Sequence, residues 1–365
     1  MTEPARSLHR WAWAEIDVAA VEHNAARLAG LAAPAQLWAV VKADGYGHGA
    51  VRAARAALRG GATGLCVALV DEGLQLRSDG ITDPVLVLSE QPPESLRAAL
   101  RSGLTLTVAS RTGVDAVATA AATVGPQHPP HVHLKVDTGM HRVGSAPDDA
   151  VSVARHAQAS GLHLAGVFTH LAVADDPTDP YTEGQLDQFD RVLDQLRGDG
   201  VDPGLVHAAN SAGAIAHPRA RHAMVRTGIA LYGIEPGPGL AGAAGGLDAA
   251  LSLHARVSVV RRLAAGERIS YGLRHRFDRE TTVAVLPIGY ADGVPRRSFE
   301  CGIEVLIGGV RRPIVGVVTM DQLMVDVGDD DVHVGDPAVL IGCQGGERIT
   351  AEEWGDRLGT IGPAS

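Results

Sequence analysis

The sequence predicts an α/β chain, with an N-terminal (β/α)8 TIM-type barrel over residues 12–240 and a C-terminal all-β domain over residues 247–365. Three observations carry this expectation. Between Leu37 and Tyr232, short apolar runs alternate with helical stretches, and the runs are continuously apolar, as in strands buried on both faces of a parallel sheet. A Gly/Ala/Pro-rich stretch, Glu235–Gly246, then interrupts the pattern. Beyond it the texture changes to short strands bounded by Gly, Pro and Asp.

In chain order, the barrel strands are expected at Leu37–Lys42, Gly64–Leu69, Pro84–Leu88, Thr105–Ala109, Val132–Asp137, Leu164–His170, Leu205–Ala209 and Val225–Leu231. Helical patterns lie between them at Gly49–Arg59, Glu94–Arg101, Arg111–Thr123, Asp148–Ala159 and Thr182–Arg197. Strands joined by helix-sized connections in this number favour a closed barrel over an open doubly wound sheet. In the second domain Leu251, Leu253, Ala255, Val257 and Val259 alternate with polar partners. Further short strands are expected at Thr282–Pro287, Glu304–Ile307, Pro313–Val318, Leu323–Val327 and Pro337–Ile341.

Composition narrows the function. Lys plus Arg is 32 against 42 for Asp plus Glu, and a net charge of −10 argues against a polyphosphate partner. Cys66, Cys301 and Cys343 lie far apart with no C-x-x-C, which speaks against a disulfide framework or a cysteine metal site. Met1–Asp17 carries charges but no apolar core of a signal peptide, and no apolar run reaches membrane-spanning length. The chain therefore reads as a soluble cytoplasmic protein with neither nucleic acid nor membrane as partner.

Catalytic groups of a barrel sit at the C-terminal ends of its strands. The first strand ends in Lys42-Ala43-Asp44-Gly45-Tyr46-Gly47-His48-Gly49. A lysine closing a buried strand either snorkels to solvent or, its ammonium form disfavoured by burial, becomes a nucleophilic amine fit for a Schiff base. Gly45-x-Gly47-x-Gly49 lacks both the G-K-[ST] ending of a P-loop and the spacing of a dinucleotide fingerprint. The fifth strand ends in Lys135-Val136-Asp137, whose two charges share a face, so they read either as an ion pair lining the barrel or as part of a site; Arg142 follows in the loop.

His170 ends the sixth strand, Asn210-Ser211 follow the seventh, and Arg226 with Gly228-Ile229 belong to the eighth. Ser211 is either a helix N-cap or, with the backbone around Gly228, part of a phosphate site of the kind barrels build after strands seven and eight. Arg226 inside an apolar run needs a partner, since guanidinium keeps its proton. His131-x-His133 has ligand spacing but lies at the start of its strand, at the mouth opposite to barrel chemistry, so no metal is expected. The β domain offers Tyr271 and Tyr290 in Gly-flanked turns, and Thr319-Met320-Asp321-Gln322.

Together these segments resemble the alanine racemase family, pyridoxal-phosphate enzymes of fold type III. The resemblance runs from Ala14-Glu15-Ile16-Asp17 to Gly359-Thr360-Ile361. Val41-Lys42-Ala43-Asp44-Gly45-Tyr46-Gly47-His48-Gly49 is similar to the family's cofactor-lysine signature, V-K-A-[ND]-A-Y-G-H-G. Lys135-x-Asp137-Thr138-Gly139-Met140-x-Arg142, Ile288-Gly289-Tyr290-Ala291-Asp292-Gly293 and Met320-Asp321-Gln322 reinforce it.

The resemblance implies a homodimer with shared active sites and pyridoxal 5'-phosphate held covalently by Lys42, which is also one catalytic base. It implies that Tyr46, Ser211 and the backbone of Gly228 and Ile229 bind the phosphate, with Asn210 beside them. Arg226 would face the pyridine nitrogen, supported by His170, and Arg142 would contact the phenolic oxygen. Lys135 would orient Arg142, as an amine or as a carbamate. Tyr271 would be the second base, and Tyr290, Met320 and Asp321 would complete the substrate pocket, all from the other subunit. The implied activity is interconversion of L- and D-alanine for peptidoglycan. The alternatives are a racemase of broader specificity, a non-catalytic pyridoxal-phosphate protein, a metal-dependent hydrolase barrel and a fold-type III decarboxylase; Tyr271 and Tyr290 in a β domain argue against the non-catalytic protein. Where the family reads Thr-Ile-Asn-Tyr, this sequence has Thr360-Ile361-Gly362-Pro363, which leads us to expect weaker cofactor binding and a more open pocket. Gly45 for the family's Ala, and Thr319 for its common Cys, are minor departures.

Overall fold

The computed structural model describes residues 10–125, 128–240 and 242–360. The chain forms two compact units, Val18–Ala250 and, from both ends of the chain, Met1–Asp17 with Leu251–Ser365.

In the first unit, strands at Gln36–Val40, Gly64–Val67, Val85–Val87, Leu106–Val108, His131–Lys135, His163–Phe168, Leu205–His207 and Met224–Thr227 pair in parallel. They make two arcs of four strands. A parallel bridge from Leu86 to Thr105 joins the arcs on one side. On the other, Ala223 N donates to Val206 O and Arg226 N to Ala209 O, so the ring closes. Each expected barrel strand is present, but the eighth is shorter than its apolar run. After Thr227 the chain enters a 3-10 turn, Ile229–Tyr232, and the apolar residues there pack beneath the loops instead of extending the sheet.

The helices Ala50–Arg59, Pro93–Arg101, Arg111–Val124, Ala150–Ala159 and Tyr181–Gly198 stand where their periodicity places them, and Val18–Ala32 and Val70–Ser78 add to them. Their apolar faces, rich in Ala, cover the outside of the strands in one continuous core. Inside the ring, Trp38, Val40, Cys66, Leu86 and Met224 fill one side. The other side is unusual, holding buried His133, Lys135, His207 and Arg226 beside Phe168.

In the second unit, Ala12–Ile16 pairs antiparallel with Leu251–Arg256, with Trp13 stacked on His254. This strand, assigned to the barrel by its position in the sequence, thus belongs with the β-strands. Leu251–Arg256 continues through Pro337–Gln344 to Glu304–Ile307 and Val310–Pro313, while Val259–Leu263, Thr281–Leu286 and Leu323–Gly328 form a separate sheet. The strand expected at Pro313–Val318 is a hairpin arm, Val310–Pro313, followed by a single bridge from Ile314 to Val325. One helix, Ala351–Leu358, buries Trp354 and Leu358 against the sheet core, so the unit is not wholly β. Among the described residues, no helix is long and apolar enough to cross a membrane.

Candidate active site

Within the barrel unit the structure gathers Lys42, Tyr46, Lys135, Arg142, His170, Asn210, Ser211, Arg226, Gly228 and Ile229 at or just beyond the C-terminal ends of the strands. Lys42 does not extend its strand. It opens a turn in which Ala43, Asp44, Gly45 and Tyr46 all have positive φ, between 50° and 65°. Burial, and then Arg142, hold the Lys42 amine below the usual lysine range, while Glu72 opposes them. The amine lies 6.0 Å from the centre of the Tyr46 ring.

Arg226 is fully buried, and among the described residues it pairs with no carboxylate. Its guanidinium donates to Thr169 O at 2.8 Å, Ala208 O at 3.1 Å, His170 Nδ1 at 3.2 Å and His207 Nδ1 at 2.6 Å. His170 thus lies within hydrogen-bond distance of Arg226. Burial pushes Arg226 down to about 10 and holds His170 and His207 well below the usual histidine range, where both rings are neutral.

Sequence reasoning did not assign a role to His207 or His133. His207 Nδ1 accepts from Arg226, so its Nε2 carries the proton and donates to His133 Nδ1 at 2.8 Å. His133, pushed down to about 3 by burial first and then by Arg226 and His131, is the neutral end of this relay. The sequence presents His133 only as half of a ligand-spaced pair with His131. The available signal was its two-residue spacing from Lys135, which puts both side chains inside the barrel. Gly166 makes room for it, since a Cβ there would lie 2.7 Å from the imidazole.

Lys135 is buried, its Nζ donating to Leu88 O at 3.4 Å and lying 5.4 Å from the centre of the Phe168 ring. It is pushed down to about 8 by burial, with Arg226, Arg142 and Lys42 adding to the effect. The ion-pair reading of Lys135 and Asp137 is not what the structure builds. The Asp137 carboxylate instead accepts from Gly139 N and His141 N, both at 3.0 Å, and shapes the loop that carries Arg142.

The helix-cap role is taken by the neighbour of Ser211. Asn210 caps the short helix Ser211–Ala216 by accepting from Gly213 N at 2.9 Å. Ser211 Oγ instead accepts from Gly228 N at 3.0 Å and Ala230 N at 3.4 Å, which leaves its own hydroxyl proton to donate outward. A Cβ on Gly228 would lie 2.5 Å from Tyr46 Oη, so the hydroxyls of Ser211 and Tyr46 both border this glycine.

The β-strand unit carries the remaining candidates on adjoining turns. Ser270 Oγ donates to Val317 O at 2.5 Å and anchors the turn of Tyr271. Tyr290 N donates to Thr319 O and Ala291 N to Met320 O, both at 3.0 Å. Tyr271, Tyr290, Met320 and Asp321 are all exposed. The departure at Ile361–Gly362–Pro363 lies outside the described residues.

The alanine racemase N-terminal domain model matches residues 16–236, and the alanine racemase C-terminal domain model matches residues 250–364. The chain belongs to the alanine racemase family. It is 47% identical to the alanine racemase of Symbiobacterium thermophilum, over 96% of this chain and 92% of that protein. The identity to the Thermobifida fusca alanine racemase is 45%, over 96% and 94%. Among solved structures, alanine racemase from D-cycloserine-producing Streptomyces lavendulae superposes with a TM-score of 0.92 at 38% identity, covering 97% of this chain and 94% of that one. The histidine racemase of Leuconostoc mesenteroides superposes with a TM-score of 0.87 at 30% identity, covering 98% and 95%.

Alanine racemases are pyridoxal-phosphate-dependent isomerases, and the residues of this family member fit that group. Lys42 offers an amine of lowered basicity, Arg226 a rigid donor without a carboxylate to neutralise it, and Gly228 an opening bordered by two hydroxyls that a side chain would fill. When bound, the cofactor supplies an electron sink for chemistry at the substrate's Cα.

Proposed function

We propose that this chain interconverts L- and D-alanine, with Lys42 exchanging the Cα proton on one face and Tyr271 on the other. The observation that carries this reading is the pairing of a depressed strand-end lysine with a buried, carboxylate-free arginine at one barrel mouth. Racemisation removes a proton from one face and returns it to the other, so it needs two groups, each able to hold and release a proton near working pH. Burial and Arg142 bring Lys42 toward that range. Arg226, which has five donors and no acceptor, is suited to face the pyridine nitrogen and leave it unprotonated, which moderates the sink and disfavours side reactions.

In the same reading Ser211, Tyr46, Asn210 and the backbone of Gly228 and Ile229 hold the phosphate, Arg142 faces the phenolic oxygen, and Lys135 orients Arg142. Tyr271 reaches the site from a second copy of the chain, and Tyr290, Met320 and Asp321 of that copy close the substrate pocket, making the protein a homodimer. It works in the cytoplasm, and its D-alanine enters peptidoglycan. A racemase of broader specificity is the second reading, favoured by the histidine racemase likeness, since the same scaffold there carries a different amino acid's name.

Chiral analysis of L-alanine incubated with the purified protein and pyridoxal phosphate tests both, with Lys42→Ala as the blank. D-alanine formed by the wild type alone supports the first reading. Racemisation of serine or histidine at comparable rates supports the second, and no product from any of the three contradicts both.

A further inference from the structure

A side chain from another helix, Glu72, bonds the backbone of the turn that presents Lys42. Ala43, Asp44 and Tyr46 sit at φ of 52°, 50° and 54°, a left-handed run that L-residues adopt only when their surroundings over-determine it. Part of the constraint is internal. Gly45 N donates to Val41 O, Gly47 N to Ala43 O, Gly49 N to Asp44 O, and Ala50 N to Asp44 Oδ1. The N–H that directly follows Lys42, that of Ala43, donates instead to Glu72 Oε1 at 2.6 Å.

Glu72 is itself rigidly placed. It stands in the first turn of helix Val70–Ser78, and its other oxygen accepts from Ala68 N at 2.7 Å and Leu69 N at 3.0 Å. Ala68 and Leu69 follow strand Gly64–Val67, which flanks the strand leading to Lys42. Gln91 grips that loop in turn, its Nε2 donating to Ala68 O at 3.1 Å and its Oε1 accepting from Val70 N at 3.2 Å. One oxygen of Glu72 therefore serves its own helix, and the second is spent on the peptide that orients Lys42.

We infer that Glu72 is a positioning residue for Lys42, clamping the left-handed turn through the Ala43 N–H and setting the charge that the lysine amine meets. The inference rests on the reading of Lys42 as the cofactor lysine. A glutamine at 72 keeps the shape but presents one acceptor oxygen where the carboxylate presents two, so it satisfies either the helix end or Ala43. It also removes the anion that opposes burial and Arg142 at Lys42. The other groups facing that amine are Tyr46 of the same turn, Cys66 of the neighbouring strand, and Lys135 and His170 across the barrel.

The test compares wild type, Glu72→Gln, Glu72→Ala and Gln91→Ala. Amide hydrogen exchange over residues 41–47 of the cofactor-free protein reads the clamp, and the pH midpoint at which added pyridoxal phosphate becomes borohydride-trappable reads the amine. Exchange at Ala43 is expected to rise about tenfold in Glu72→Ala, as for one lost hydrogen bond, and by a smaller factor in Glu72→Gln, whose one acceptor oxygen divides between Ala43 and the helix end. The trapping midpoint is expected to move to lower pH in Glu72→Gln. Gln91→Ala loosens the same helix end and lowers Tm, and leaves the midpoint where it was. A wild-type exchange rate at Ala43 in folded Glu72→Ala, or a wild-type midpoint in folded Glu72→Gln, would overturn the inference. A Lys42→Ala variant that still traps the cofactor would instead remove the reading beneath it.

Discussion

Lys135 is expected to react with carbon dioxide. In a folded protein most lysines stay protonated at neutral pH, but this one is buried, and it faces Arg226, Arg142 and Lys42. Those influences push it down to about 8 from an ordinary value of 10.5. At pH 8 about half of its molecules carry the free amine, against roughly 0.3% for an unperturbed lysine, a gain of about 150-fold in the reactive form. The amine attacks the carbon of CO2, a C–N bond forms, and one N–H proton leaves to solvent. The product carries one negative charge where a cation stood, among three positive groups that had opposed the ammonium. Asp137 favours the cation, but its carboxylate is already committed to the amides of its own loop. Carbon-13 NMR of the protein in labelled bicarbonate should therefore show a carbamate resonance that Lys135→Ala lacks. At fixed dissolved CO2 the signal should already be rising around pH 8. A resonance that appears only toward pH 10, or survives Lys135→Ala, would refute the reasoning.

Three further outcomes follow from the same geometry. Gly228→Ala places a methyl group against Tyr46 Oη, so one hydroxyl leaves the pocket that we propose for the phosphate. Losing one hydrogen bond to a charged phosphate costs about 1.5–3 kcal/mol, and cofactor titration should show Kd raised by roughly 10- to 150-fold with the fold intact. Tyr271→Phe keeps the ring and deletes the hydroxyl that we propose carries the proton, so racemisation should fall by about 100-fold or more while cofactor binding is unchanged. Solvent-deuterium incorporation at Cα, starting from each enantiomer, should become unequal in that variant. His207→Leu removes the acceptor for Arg226 and the donor for His133 together. With a loss of about 1.5–3 kcal/mol for a hydrogen bond to a charged group, Tm measured by calorimetry should drop by several degrees.

The sequence by itself determined the barrel strands and their order, the change to a β-strand unit, and the segments that carry the chemistry. Those features are local: a buried parallel strand is a short apolar run, and a strand-end lysine before glycines is legible wherever it occurs. The family resemblance added roles for Lys42, Arg226 and His170, and in the structure His170 lies within hydrogen-bond distance of Arg226. Tertiary structure decided what depends on closure of the ring. His133 and His207 are 74 residues apart, and nothing in either segment says that their imidazoles meet beneath Arg226. Asp137 faces its own loop because amides two and four residues on offer it better partners than a lysine already surrounded by cations. Ala12–Ile16 joins the strands beginning at Leu251 because an edge strand is completed by whichever neighbour presents unpaired backbone groups, however distant in the chain. The left-handed turn after Lys42 is the clearest case. Its conformation is unfavourable for the residues that adopt it, and it persists through bonds that exist only once the neighbouring strand and Glu72 are in place.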